Sequence, residues 1–200
     1  MKLVYKGKYS GDVNDLPHGE HQPGAVKFKE CEDSKKLGVL ANGIALILFF
    51  ALEVVACLRV QSYTFSFIGA VLSILTLFPH EFLHAICFRE EVYLYTNIKE
   101  GMLFVVGPEI MTKVRFVFMS LLPNLVFGVL PFVLFLIHPE WEWLGTLGAL
   151  AISMGAGDYY NVFNALTQMP RGARTYLYRF NSWWFMPEKS EQGELAREKV

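Results

Sequence analysis

Four long apolar segments constrain the fold of this 200-residue chain more than any other feature of its sequence. They cover residues 38–58, 66–88, 116–137 and 143–166. Each has about the 20 residues that a helix needs to cross the hydrocarbon core of a bilayer. A helix satisfies its own backbone hydrogen bonds, so segments of this kind form membrane spans. The sequence therefore predicts an α-helical polytopic membrane protein with about four transmembrane helices.

The composition agrees with a membrane location. Hydrophobic residues make up 53% of the chain, charged residues only 18%, and the mean hydropathy is +0.32. Soluble domains carry about 25% charged residues. The net charge is −1, and no basic stripe with interleaved aromatic residues is visible. These features exclude a nucleic-acid-binding surface and leave the lipid bilayer as the expected environment.

The spans divide the chain into three regions. Residues 1–36 are polar and form a loop-rich N-terminal arm, 37–166 form the four-span core, and 167–200 form an interfacial tail rich in arginine and aromatic residues. Between the second and third spans, residues 92–107 are rich in β-branched and aromatic side chains. They are interrupted by Lys99, Glu100 and Gly101, a pattern that predicts a strand, a turn and a second strand.

The distribution of basic residues predicts the orientation in the membrane. Of the chain's 18 lysines and arginines, all except Arg59 lie in the arm, in the segment between spans two and three, or in the tail. Lysine and arginine concentrate on the cytoplasmic side of membrane proteins. Both termini and the strand segment are therefore expected to be cytoplasmic.

The second span contains the sequence FPHEFLH, residues 78–84, inside an otherwise apolar stretch. On a helix His80 and His84 lie one above the other, so both imidazoles can bind one zinc ion. Glu81 points about 100° away from His80 and can act as the general base. Each charged group in a span costs about 2.5–3.5 kcal/mol or more, so an accidental cluster of three is improbable. A proton relay or a satisfied polar cluster remains the alternative.

A third zinc ligand is expected at a similar depth in another span. His80 and His84 lie about 12 and 6 Å from the inner end of the second span, and Asp158 lies about 12 Å from the inner end of the fourth. Glu53 is near the outer end of the first span, so it fits poorly as a ligand. Gly155, which opens the run Gly-Ala-Gly before Asp158, offers a small-residue surface where helices two and four can approach closely.

Two asparagines are candidates for supporting roles. Asn124 lies about 12 Å from the inner end of the third span, directly after Pro123. It can stabilise a developing oxyanion, or it can satisfy backbone groups that the proline frees. Asn161 lies three residues after Asp158, on the same helical face, and can orient that carboxylate.

The motifs together resemble the site-2 protease type of intramembrane metalloprotease. The elements are HEFLH in one span, strands after it, Pro-Asn in the next span and Gly-Asp in the last. A still closer resemblance is to a smaller family of bacterial and archaeal membrane proteins described as zincin peptidases. The resemblance covers about residues 66–166. It implies zinc held by His80, His84 and Asp158, Glu81 as the base, and a substrate strand that pairs within 92–107.

The sequence thus predicts a zinc-dependent intramembrane endopeptidase that cleaves membrane-embedded or membrane-proximal protein substrates near the cytoplasmic face. Two alternatives remain. The same residues can form the transit site of a metal or ion transporter, although the outer half of the second span offers only weak hydroxyl ligands. The chain can also be a catalytically inactive, zinc-binding membrane adaptor.

Overall fold

A computed structural model describes residues 1–31, 33–97, 102–178 and 181–187. The turn predicted at Lys99, Glu100 and Gly101 lies outside these ranges. The helices are α1 (Ser34–Arg59), α2 (Phe67–Leu75), α3 (Leu77–Ile86), α4 (Lys113–Asn124), α5 (Leu130–Ile137), α6 (Glu142–Met154) and α7 (Ala156–Gln168). The strands are β1 (Lys2–Lys8), β2 (Val26–Lys27), β3 (Glu91–Asn97), β4 (Met102–Val106), β5 (Met111–Thr112), β6 (Arg174–Tyr178) and β7 (Asn181–Phe185).

Three helical segments in the described residues are long and apolar enough to cross a membrane. They are Lys36–Arg59 in α1, Phe67–Ile86 across α2 and α3, and Lys113–Ile137 across α4 and α5. These lengths of 24, 20 and 25 residues match the thickness of the hydrocarbon core. The chain is therefore a membrane protein with three candidate spanning helices.

The predicted fourth span is not one continuous helix. Residues 143–166 are divided between α6 and α7, which are 13 residues each and meet at Gly155. The N–H of Gly155 bonds to the carbonyl of Ile152, a tighter turn than the α-helical pattern. Unlike the second and third apolar segments, this one is not among the described segments that are long and apolar enough to cross a membrane. The predicted four spans with one hairpin insertion are thereby corrected to three candidate spans in a mixed α/β fold with two small sheets.

The β structure is also larger than the predicted hairpin. β3 and β4 pair antiparallel, with Leu94 opposite Val105, as the strand–turn–strand pattern of 92–107 indicates. However, β1 of the N-terminal arm pairs parallel with β3, giving a three-stranded sheet in the order β1-β3-β4. A second sheet, in the order β2-β7-β6-β5, joins the arm to the tail. The arm is thus a structural part of both sheets.

Buried apolar side chains hold the arm on the rest of the molecule. Tyr9 and Leu16 pack with Tyr95 on the first sheet. Further along the arm, Phe28 is 2% exposed and packs beside Ala165 of α7. Two backbone contacts tie the following residues to α7: the Lys29 N–H donates to Gln168, and the Cys31 N–H donates to the Tyr160 hydroxyl. The residues before α1 therefore run along α7.

α6 is the central helix of the membrane region and packs against α1, α2 and α5. Its close neighbour in the second span is Gly69 of α2, where an added Cβ would lie 2.8 Å from the Thr146 Cβ and 3.0 Å from the Leu147 nitrogen. The close approach predicted at Gly155 is instead made with α4, which packs on α7. This arrangement brings α3, α4 and α7 together at one level.

Candidate metal centre

The HEFLH sequence forms half of α3, which begins after a break in the second span. α2 ends at Leu75 and α3 begins at Leu77. Pro79 has no N–H to donate to the carbonyl of Leu75, so the regular hydrogen-bond pattern cannot continue through this point. The break turns α3 so that His80 and His84 face α7.

Three predicted ligands meet at one point between α3 and α7. The Nε2 atoms of His80 and His84 are 3.2 Å apart. Asp158 lies across from them, with Oδ2 3.2 Å from His80 Nε2 and Oδ1 3.2 Å from His84 Nε2. All three side chains are at most 15% exposed. The structure thus brings together residues that are 78 and 74 positions apart in the sequence.

These spacings fit a zinc ion. Nitrogen and oxygen ligands bind zinc tetrahedrally at about 2.0–2.2 Å, so two such donors lie about 3.3 Å from each other. The two Nε2 atoms are separated by 3.2 Å, and each lies 3.2 Å from one Asp158 oxygen, Oδ2 for His80 and Oδ1 for His84, so all three distances are close to that spacing. Two imidazoles and one carboxylate are also a donor set that catalytic zinc sites use, with the fourth position left for water or substrate.

Glu81 lies beside this triangle and is held by a backbone group. Its carboxylate and the ring nitrogens of His80 and His84 all lie within 4.8 Å of one another. The N–H of Val105 in β4 donates a 2.9 Å hydrogen bond to Glu81 Oε2. Val105 therefore fixes the Glu81 carboxylate next to the position where the predicted water would sit.

Asn124 contacts Asp158, the predicted third ligand, directly. Its Nδ2 donates a 2.8 Å hydrogen bond to Asp158 Oδ2 and a longer one, 3.3 Å, to the carbonyl of Ser120. Asn124 is 2% exposed, and its side chain occupies the space where a Cβ on residue 155 would project. This contact places the Asn124 amide beside Asp158, where it can orient that carboxylate.

Asn161 is near the centre but does not touch Asp158. Its side chain makes no hydrogen bond to another described residue, and it lines the cavity next to the ligands. Glu53 lies away from this centre, where the Tyr63 hydroxyl donates to it at 3.4 Å. This position agrees with the poor fit as a ligand that its depth predicts.

A cavity of about 720 Å³, here called the site cavity, adjoins the metal centre. Its walls include Glu81, His84, Asp158 and Asn161, with residues 37–44 of α1 on the opposite side. A second cavity of about 260 Å³, the sheet cavity, is bounded by β4, β6 and β7. Both cavities share Val105, Met119 and Tyr160 as lining residues, so they adjoin each other beside the metal centre.

Three features of this centre were not predicted from the sequence. The Met119 carbonyl lies 2.9 Å from Nδ1 of His84, Val105 binds Glu81, and the buried Ser120 hydroxyl lines the site cavity without a hydrogen-bond partner among the described residues. Two of them are backbone groups, which side-chain motifs cannot reveal. The signal for Met119 was present, because Pro123 follows it by four residues and leaves its carbonyl without the usual helical donor.

The fold and this centre define a membrane protein of the metallopeptidase class. A family described as "putative zincin peptidase" matches residues 73–174, which include the whole metal centre, and the chain belongs to this family. Membership implies zinc as the cofactor. Neither the curated proteins nor the solved structures gave a match to this chain.

Proposed function

We propose that the protein is a zinc-dependent intramembrane endopeptidase of the HExxH type, which cleaves membrane-associated peptide segments near the cytoplasmic face. The observation that carries this proposal is the triangle formed by His80, His84 and Asp158, with a fixed carboxylate, Glu81, beside it. The two histidines and Glu81 belong to a segment long and apolar enough to cross a membrane. Ionisable groups at this depth are costly unless they serve a function.

In this proposal His80, His84 and Asp158 hold zinc. Zinc would supply Lewis acidity that polarises a peptide carbonyl and makes a water molecule more acidic. Glu81 accepts the proton of the attacking water and then delivers it to the departing amide nitrogen. The hydrogen bond from Val105 keeps the Glu81 carboxylate facing the substrate rather than free to rotate.

The substrate site follows from the cavities and the sheet. β4 pairs with β3 on one side, and its other edge has no strand partner among the described residues, although the Val105 N–H on that edge already binds Glu81. An extended substrate segment can add to such an edge through main-chain hydrogen bonds, and Val105 lies on this strand. A helical substrate hides its carbonyls in its own hydrogen bonds, so segments unwound by glycine or proline are the expected targets. Asn161, in both cavity walls, has a free amide for such a segment.

Two findings support an enzyme over the alternatives. The chain belongs to a peptidase family, and the Glu81 carboxylate lies beside the proposed ligands, where it can act as a general base. A transporter would need ligands along a path to both faces, whereas the polar walls of the site cavity lie at the ligand end of the second span. An inactive adaptor would need zinc but no base. The three proposals therefore differ in what the Glu81 side chain does.

The test uses zinc binding and cleavage by matched variants in proteoliposomes. The probes are single-span peptides with a glycine–proline pair near one end of the apolar segment, and cleavage is followed by mass spectrometry. We expect Glu81→Gln to bind zinc like the wild type but to cleave nothing, and His84→Ala and Asp158→Ala to lose zinc. Cleavage by Glu81→Gln at the wild-type rate would refute the mechanism. Zinc uptake into the vesicles would favour the transporter instead.

A further inference from the structure

A proline in the third candidate span leaves one backbone carbonyl without its helical donor. Pro123 lies inside α4 and has no N–H, so it cannot donate to the carbonyl of Met119, four residues earlier. Within a membrane, such a freed carbonyl needs another donor from a neighbouring helix, because water is not available to it. The position of that donor decides what the proline does for the structure.

The donor on the neighbouring helix is a ring nitrogen of a proposed zinc ligand. Nδ1 of His84 lies 2.9 Å from the Met119 carbonyl oxygen. A carbonyl can only accept, so this contact requires the proton to be on Nδ1. The lone pair of a neutral imidazole is then on Nε2, the atom that faces His80 and Asp158 at 3.2 Å. The carbonyl therefore sets both the rotation of the ring and the nitrogen that is free to bind a metal.

Asn124, the residue after Pro123 on α4, binds α7, the second helix that carries a proposed ligand. Asn124 donates to Asp158 of α7 at 2.8 Å, while Met119 contacts His84 of α3. A short stretch of α4, residues 119–124, thus contacts two of the three proposed ligands. Pro123 itself is less than 2% exposed, so the proline lies in the packed interior of the molecule.

We propose that Pro123 is a positioning residue of the metal centre: by withholding an N–H, it reserves the Met119 carbonyl for His84 Nδ1. This inference rests on the proposed function, since it treats His84 as a zinc ligand. It assigns to a helix-breaking residue a role in metal affinity that is separate from bending the helix. Groups that orient histidine ligands in this way typically change metal affinity by about 10- to 100-fold when they are lost.

The decisive variant is Pro123→Ala. Alanine restores an N–H at position 123, which takes the Met119 carbonyl back into the helix, and alanine suits a helix interior better than proline. Pro131→Ala is the matched control, because Pro131 is also buried in the same candidate span but lies in α5, seven residues beyond Asn124. Both variants remove one helix proline, but only the first acts on the carbonyl next to His84.

The hydrogen bond itself is measured without metal. Met119–Ser120 is the chain's only Met–Ser pair, so carbonyl-¹³C methionine combined with ¹⁵N serine identifies the Met119 carbonyl by solid-state NMR. Additional ¹⁵N labelling of the histidine rings then reports the proximity of His84 Nδ1 to that carbonyl. We expect a contact in the wild type and in Pro131→Ala, and its loss or clear weakening in Pro123→Ala. The absence of the contact in the wild type would overturn the inference, whatever the protein does with zinc.

Zinc affinity, measured by competition with a chromophoric chelator, completes the test. We expect Pro123→Ala to bind zinc about 10- to 100-fold more weakly than the wild type, and Pro131→Ala to bind like the wild type. Equal affinity for Pro123→Ala and the wild type, or an equal loss in both variants, would overturn the positioning role. If the wild type binds no zinc, the proposed function and the ligand role of His84 fail together, and the NMR contact alone decides whether Pro123 directs the ring.

Discussion

Replacement of Gly155 by alanine tests how the break between α6 and α7 serves the metal centre. A Cβ at this position would lie 2.8 Å from Nδ2 of Asn124 and closer still to its carbonyl oxygen. Real Cβ atoms do not approach this closely, and Asn124 is 2% exposed, so its side chain has little room to retreat. We expect Gly155→Ala to displace the Asn124 amide and break its 2.8 Å hydrogen bond to Asp158.

The size of the effect follows from that hydrogen bond. A hydrogen bond to a charged group contributes about 1.5–3 kcal/mol. Loss of a hydrogen bond that orients a metal ligand typically weakens metal binding by about 10- to 100-fold, and we expect a weakening of this size for zinc. The backbone of Gly155 has φ −75°, which alanine adopts without strain, so the effect comes from the side-chain overlap alone.

Gly157→Ala is the matched control for this substitution. Gly157 lies two residues further along α7, and a Cβ there meets no atom within 4 Å. Zinc affinity is measured for both variants by chelator competition in detergent, with thermal unfolding as the measure of folding. Wild-type zinc affinity in Gly155→Ala, or an equal loss in Gly157→Ala, would refute the reasoning that Asn124 holds Asp158 through the space at Gly155.

Two further predictions concern regions away from the ligands. Thr146→Val removes a hydroxyl oxygen that accepts a 2.9 Å hydrogen bond from the Ser66 N–H and lies 2.8 Å from the Tyr63 hydroxyl. We therefore expect a loss of about 1–3 kcal/mol in the free energy of unfolding. An unchanged unfolding temperature would contradict this prediction. Burial alone would raise the pKa of Glu109, but hydrogen bonds from Arg115 and from two backbone N–H groups lower it. The Glu109 carboxylate therefore contributes its full stabilisation above the ordinary pKa of glutamate, and this contribution disappears as the pH falls through the lowered pKa. In Glu109→Gln, the unfolding temperature should fall less steeply over this acidic range than in the wild type.

The depth of the metal-centre residues could be predicted because a helix has a fixed rise. The predicted depths of His80 and Asp158 both came from counting residues at 1.5 Å each, and the two side chains are 3.2 Å apart in the structure. Depth does not specify the direction in which a side chain points around the helix axis. This is why Asn124 could be placed at the right level while its partner, Asp158, could not be chosen in advance.

The sheets were harder to predict because their strands are distant in sequence. The β3–β4 pair was visible in the local pattern of 92–107, but β1 pairs with β3 across almost half of the chain. A strand of two residues such as β2 has no detectable periodicity, and only its pairing with β7 defines it. The division of the fourth apolar segment was equally hidden, since Gly155 is compatible with a continuous helix and the Asn124 contact that explains it is tertiary.

The pairing of β2 with β7 also has a consequence for how the chain is completed during synthesis. Val26 lies opposite Trp184, so β2 leaves the ribosome long before its partner. At about 5–20 residues per second, the interval is roughly 8–30 s, during which the helices of the core can insert and pack. β6 and β7, which form one wall of the sheet cavity beside the metal centre, are translated after every proposed ligand. The order of translation therefore delays the closing of that wall until the helices carrying the ligands have already been made.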